Sequence, residues 1–288
     1  MQEIIIKNEL GREVEISTSR PYVIGEINLG NEVSTNIATS ASLTDGVSLD
    51  NVNIKESLLQ IGGMVVGNSY KDLEKKRLNL MGILNPKLEC DLYCTKNYTS
   101  RKITGYVQDI AFRKNISFRQ EFLIQFLAPV PFWEDVNRIR TDVALWVGDF
   151  EFPLEIPLDG GMEFGHRLSN LICNIYNSGD VQTGMIIKFK ALATVDNPSL
   201  FNVNTREYIK VNQTLQSGDV LEINTNFGKK RIELVKSNGL RESVFNWLDL
   251  DSDFLQLEVG DNLFRYDAEN GIDNLEVSIY HNNNYLGV

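Results

Sequence analysis

Only two histidines, His166 and His281, occur in the 288 residues, and imidazole is the side chain most often used to move protons near neutral pH. No G-x-S-x-G elbow accompanies either, so the sequence assembles no Ser-His-Asp hydrolase. Both histidines are expected to be solvated or to cap turns. The densest carboxylate group is Asp249-Leu250-Asp251-Ser252-Asp253. Its alternate aspartates imitate the first three ligand positions of a calcium loop, but Phe254 stands at the glycine position and Gly260 at the closing glutamate position. A solvated acidic turn fits these residues better than a loose calcium site completed by Glu258.

The other reactive groups are equally plain. Leu88, Cys90, Leu92 and Cys94 alternate along one strand face, and with Cys173 as the third cysteine and no nearby histidine they read as small core residues rather than a metal or redox pair. Gly62-Gly63-Met64-Val65-Val66-Gly67 lacks the Lys-Ser/Thr ending that holds phosphate, so its glycines are expected to serve a tight strand crossing or bulge. Lys229-Lys230-Arg231, next to Asn226-Phe227-Gly228, reads as a charged hairpin end. Acidic residues are abundant enough for a glycosidase pair, yet nothing selects one. The expected catalytic, cofactor-binding and metal-binding residues are therefore none.

The elements that would carry any site follow from composition and pattern. Hydrophobic residues make up 42% and charged residues 23%, ordinary values for a folded chain long enough for two domains. No apolar run reaches membrane-spanning length. The start, Met1-Gln2-Glu3-Ile4-Ile5-Ile6-Lys7, lacks the features of a secretory signal, so synthesis and assembly in the cytosol, the host cytoplasm if the resemblance given below holds, are expected. Charge is uneven: residues 1–130 hold 15 Lys+Arg and 15 Asp+Glu, while 131–288 hold 13 and 24. Such an acidic second part opposes tight nucleic-acid binding, which rests on cationic side chains against phosphates, but not the passage of DNA through a pore.

Four of the seven prolines (Pro129, Pro131, Pro153, Pro157) fall where the charge changes. The boundary is placed near residue 130, with a Pro-rich connector over 131–159. Before it, Phe118, Phe122, Ile124 and Phe126 form the apolar face of a long strand, with 103–107 as its hairpin neighbour. One helix is expected from Ser69, a cap, through Leu73, Arg77, Leu80 and Leu84 to the stop at Asn85-Pro86. Residues 31–50 are rich in Asn, Ser, Thr and Gly, and read as an exposed loop or extended hairpin. After the boundary, eight strand-like runs (171–176, 185–191, 208–211, 220–224, 232–235, 254–258, 263–266, 275–280) argue for an antiparallel β-sandwich expected to fold alone as 160–288.

Phe126-Leu127-Ala128-Pro129-Val130-Pro131-Phe132-Trp133 resembles the A-P-x-P-F-W hinge that ends the first domain of distal tail proteins in long-tailed phages of Gram-positive bacteria. The similarity continues through 177–184, 212–219, 246–254 and 257–262, where Val259 replaces the usual proline of a P-G-x-N turn. The resemblance implies a mainly β fold of two domains: a ring-forming N-terminal domain with one helix (1–130) and a galectin-like sandwich (160–288). It implies a hexameric hub ring at the virion tail tip, with a central channel for DNA, bound to the tail tube protein, to the tail-associated hub protein and, at the periphery, to receptor-binding proteins. DNA would pass without specific binding, and nothing would insert in a membrane. Contacts between subunits are expected from 31–50 and 116–127, with Asn36, Ser40, Leu43, Asp45, Val47, Phe118 and Phe122 as candidates, and an inter-domain hinge at Pro129, Pro131, Phe132 and Trp133.

Two other functional classes are compatible with a β-rich two-domain chain. A carbohydrate-binding module for cell-wall glycan would need the His, Arg and stacking Trp of galectin-type recognition. The chain offers Asn197-Pro198-Ser199 instead of Asn-Pro-Arg, and Trp247, flanked by Leu248 and Leu250, reads as core. A cell-wall hydrolase is the weakest of the three.

Overall fold

Alternating apolar and polar residues produce strands through almost the whole chain. The computed structural model describes residues 2–30, 35–41, 47–113, 116–148, 165–169 and 172–288. The first part runs β1 (Gln2–Asn8), β2 (Glu13–Ile16), β3 (Tyr22–Asn28), β4 (Thr35–Ala41), β5 (Val47–Ile54), β6 (Ser57–Val66), α1 (Tyr70–Ile83), β7 (Glu89–Lys96), β8 (Thr99–Phe112), β9 (Arg119–Ala128) and β10 (Trp133–Asp135). There follow β11 (Ile139–Gly148), β12 (Gly165–Ser169), β13 (Ile172–Asn177), β14 (Met185–Ala191), β15 (Val195–Asp196), β16 (Ser199–Asn202), β17 (Tyr208–Lys210) and β18 (Thr214–Leu215). The remainder are β19 (Val220–Asn224), β20 (Arg231–Val235), β21 (Arg241–Ser243), β22 (Gly260–Asp267), β23 (Leu275–His281) and β24 (Asn284–Tyr285). Two compact units result: Met1–Val136 together with Asn284–Val288, and Asn137–Asn283.

In the first unit the strands follow the order β2-β1-β7-β8-β9-β6-β3, with β10 and β24 added beside β8. A bridge between Ser17 and Val23 brings the two edges of that path together, wrapping the sheet around a core that includes Ile4, Ile6, Leu59, Ile61, Leu92 and Phe126. Cys90 and Cys94 are buried in this core outside any disulfide, and burial pushes the Cys90 thiol up to about 11. The glycine run works through close approach. A Cβ on Gly62 would lie 2.7 Å from the Glu26 carbonyl oxygen, and one on Gly63 would lie 2.5 Å from Phe122 Cζ, beside the register shift between Ile24 and Ile27 where β3 pairs with β6.

The second unit is an antiparallel sandwich. A seven-stranded sheet, β12-β11-β23-β14-β19-β20-β21, and a four-stranded sheet, β13-β22-β16-β17, enclose Ile187, Phe189, Ile223, Leu200, Phe264, Val277 and Ile279. Two expectations are corrected. Residues 131–159 are not a bare connector, because β10 and β11 lie within them and β11 pairs with β23 from Ile139–His281 to Ala144–Val277. Residues 254–258 form no strand beyond a single bridge from Leu257 to Thr183. There, amide side chains replace the ladder: Gln256 donates to the Phe254 and Thr225 carbonyls, and Asn262 accepts from the Glu258 N–H.

Candidate assembly surface

β4 and β5 pair with each other and with no other sheet among the described residues. Their register sets Asn36 opposite Asn53 and Ile37 opposite Val52. Ile37 is 59% exposed and Val52 48% exposed, so the hairpin displays a directly opposed aliphatic pair about half open to solvent. A lone two-stranded hairpin is marginal in water, and such a pair stabilises it most when covered. Of the candidates named from sequence, Asn36 is exposed on β4, and Ser40 and Val47 lie on the paired strands opposite Ser48 and Ala41. Leu43 and Asp45 lie outside the described residues. Ile37 and Val52 were missed: Ile37 stands among polar residues on one arm, but Val52 is one of four aliphatic residues on the other (Val47, Leu49, Val52, Ile54), and only the register pairs it with Ile37.

The other exposed apolar group centres on α1. Ser69 Oγ accepts the Asp72 N–H at 3.2 Å, and the Asp72 carboxylate takes the Lys76 ammonium and the Asn68 N–H, each at 2.8 Å. The Lys76 hydrogen bond, then that of Asn68, holds the Asp72 carboxyl below its ordinary value. Leu73, Leu80 and Ile83 turn inward, whereas Leu78 is 56% and Met81 47% exposed. Arg77, expected in line with the buried leucines, instead lies half-buried with its guanidinium 5.9 Å from the Phe112 ring centre. Phe118, just ahead of β9, is exposed and meets Tyr70 edge-on with ring centres 5.0 Å apart. Phe122 is a correction: it is 3% exposed, because its β9 position faces the core over Gly63, so its side chain packs the subunit rather than meeting a neighbour.

The hinge residues also need correction. Pro129 is exposed and Phe132 half-buried, but Trp133 is buried in the first unit's core, where β10 pairs Trp133 with Tyr285. The division between units falls after Val136. Tyr285 is held by the Arg101 guanidinium, 3.6 Å above its ring, and donates its hydroxyl to Asp135 at 3.4 Å.

In the second unit the leading carboxylate of the acidic cluster is engaged in hydrogen bonds within the fold. Asp249 accepts from Asn212 Nδ2 at 2.8 Å, from the Asp251 N–H at 3.1 Å and from the Tyr208 hydroxyl at 3.2 Å. Those bonds, Asn212 first, hold its carboxyl below the ordinary value. His281 is buried in β23 rather than solvated; its place on the inward side of a central strand excludes water. His166 lies on β12 opposite Val147. Trp247 is half-buried against the core. Lys188 lies opposite Glu222 at 3.0 Å and Lys190 opposite Glu276 at 2.8 Å, cross-strand pairs that neutralise the outer sheet face. Among the described residues, no three His, Cys, Asp or Glu side chains converge as metal ligands would.

Two family models match. Residues 9–128 match the phage tail protein RIFT-related domain, and residues 178–285 match the siphovirus-type tail component C-terminal domain. The chain belongs to the siphovirus-type distal tail proteins. The first match spans β2 to β9 with the hairpin and α1, and the second most of the sandwich. Among solved structures, the distal tail protein is similar to the crystal structure of SPP1 Dit (gp 19.1), described as a paradigm of the hub adsorption apparatus in Gram-positive-infecting phages. The TM-score is 0.71 at 12% identity, covering 98% of this chain and 99% of that one. It is also similar to a chain of the phage P2 baseplate in its activated conformation with Ca, with TM-score 0.60 at 11% identity and full coverage of both. No protein of curated function matches the sequence. The distal tail protein is thus a structural component of the virion tail tip, with no helix among the described residues long and apolar enough to cross a membrane.

Proposed function

We propose that this distal tail protein is a non-catalytic subunit of a closed homohexameric hub ring. Its first units surround a channel for DNA, and its second units face partners at the periphery. One face of the ring would continue the tail tube protein, the other would hold the tail-associated hub protein, and receptor-binding proteins would attach outside. The observation that carries this reading is the β4–β5 hairpin with its half-exposed Ile37–Val52 pair, an element whose stability calls for a neighbouring subunit. The balanced charge of residues 1–130, 15 against 15, suits a lumen through which phosphates slide without being held. A glycan-binding alternative would rest on Trp247, which packs against the core.

Native mass measurement of the full chain tests the ring: a six-fold mass is expected, and deletion of 34–48 should leave a folded monomer. Rings of unchanged mass after that deletion would show that the contacts lie elsewhere. Duplex DNA should show no salt-sensitive binding at physiological ionic strength, and micromolar affinity would overturn the passive channel.

A further inference from the structure

A sheet wrapped around a core leaves two ends where apolar side chains would meet water. In the first unit different parts of the chain close them. α1 crosses one end, where Lys76 Nζ donates to the Val66 carbonyl, the Tyr22 hydroxyl to the Lys76 carbonyl, and Asn8 Nδ2 to the Ile83 carbonyl. Arg77 of the same helix lies over Phe112, the last residue of β8.

The other end of β8 carries Arg101, directly opposite Cys94 of β7, and is met by residues 284–288. β24 pairs Tyr285 with Trp133 and Asn284 with Glu134, and β10 pairs in turn with Lys102 and Arg101 of β8. The Arg101 guanidinium stacks on the Tyr285 ring and donates through Nη1 to the Gly287 carbonyl. Tyr285 and Val288 pack against the core, in which Trp133 and Cys94 are fully buried.

Two features set this closure apart from α1. Between β10 and β24 the chain runs through the whole of Asn137–Asn283, so the closing residues follow the second unit in sequence. Their hold is also slight: each residue from 284 to 288 is half-buried, and the ladder to β10 is only two residue pairs long. A segment with few buried contacts opens at a lower free energy than the core it covers.

We infer that residues 284–288 are a latch on the first unit. They seal the end of its core that α1 leaves open, and the first unit is completed only once the second has been made. The latch goes beyond the ring reading and holds for a monomer and a hexamer alike. Two variants test it: a chain stopped after Asn283, and the full chain with Tyr285→Ala. The readout is the rate at which a thiol reagent modifies each cysteine, followed by peptide mass. Cys94 reports the latched end, Cys90 the α1 end, where it pairs with Asn8, and Cys173 the second unit. In both variants Cys94 should react about tenfold faster or more, while Cys90 and Cys173 keep their rates. Tyr285→Phe, which keeps the ring on Arg101 and loses the hydroxyl, should stay near the rate of the unmodified chain. If the shortened chain fails to fold, Tyr285→Ala decides alone. An unchanged Cys94 rate overturns the latch, and so does equal acceleration of Cys90 and Cys94, which would mean that these residues hold the whole unit rather than one end.

Discussion

At the scale of single residues, the buried groups of this distal tail protein were legible wherever alternation set the face. Cys90 shows it. Its thiol is pushed up to about 11 by burial, so the folded chain keeps a proton that the unfolded chain loses near pH 9. That sign makes the contribution full below about pH 9 and progressively lost as pH rises toward 11, by about 2–3 kcal/mol at about 1.4 kcal/mol per pH unit. Chemical unfolding of wild type and Cys90→Ala between pH 8 and 11 should show the steeper alkaline loss in wild type; parallel curves would refute it. Gly82 makes a different kind of statement. Gly82→Ala should raise helix stability by up to about 1 kcal/mol, since among the described residues no atom outside its own helix lies within 4 Å of a Cβ there. Thermal melting of the two proteins checks it, and a lowered midpoint for the alanine variant would refute it. His281 was misread because its position in a polar-looking C-terminal segment gave no hint that β23 is central, flanked by β11 and β14.

Among elements, local signals were enough for α1 and insufficient for β11 and β24. Ser69, the buried leucines and the stop at Pro86 all act within a few residues, so the helix could be placed with no knowledge of its partners. Ser69→Ala removes the acceptor for the Asp72 N–H and should cost the first unit about 1 kcal/mol, with Ser69→Asp restoring most of it. Equal thermal midpoints for all three proteins would mean that the cap is replaced by water. The hairpin was half legible: its polar composition announced exposure, but its aliphatic pair emerges only once the register opposes Ile37 to Val52. β24 lies beyond any local reading, because a two-residue strand becomes a strand only by pairing with Trp133 and Glu134, about half the chain away.

For the whole molecule, proline and charge marked a change near residue 130, but they mark the end of β9 rather than the start of the sandwich. The second unit begins at Asn137, and the difference has a measurable consequence. β11 contributes Val143 and Ala144 to the sandwich core and covers the edge of β23 with pairs from Ile139–His281 to Ala144–Val277. A fragment of residues 160–288 lacks that strand, leaves the β23 edge bare, and keeps residues 284–288 without the β10 strand that Tyr285 pairs with. Losing the buried Val143 side chain and the cover of β23 should cost about 3 kcal/mol or more. At roughly 2–4 °C per kcal/mol that lowers the thermal midpoint by about 6–12 °C relative to residues 137–283. The longer-headed fragment should run as a monomer with one cooperative transition, and the shorter one should associate through its exposed strand edge. Matching midpoints and elution volumes for the two fragments would show that β11 is dispensable, and that the sandwich core closes without it.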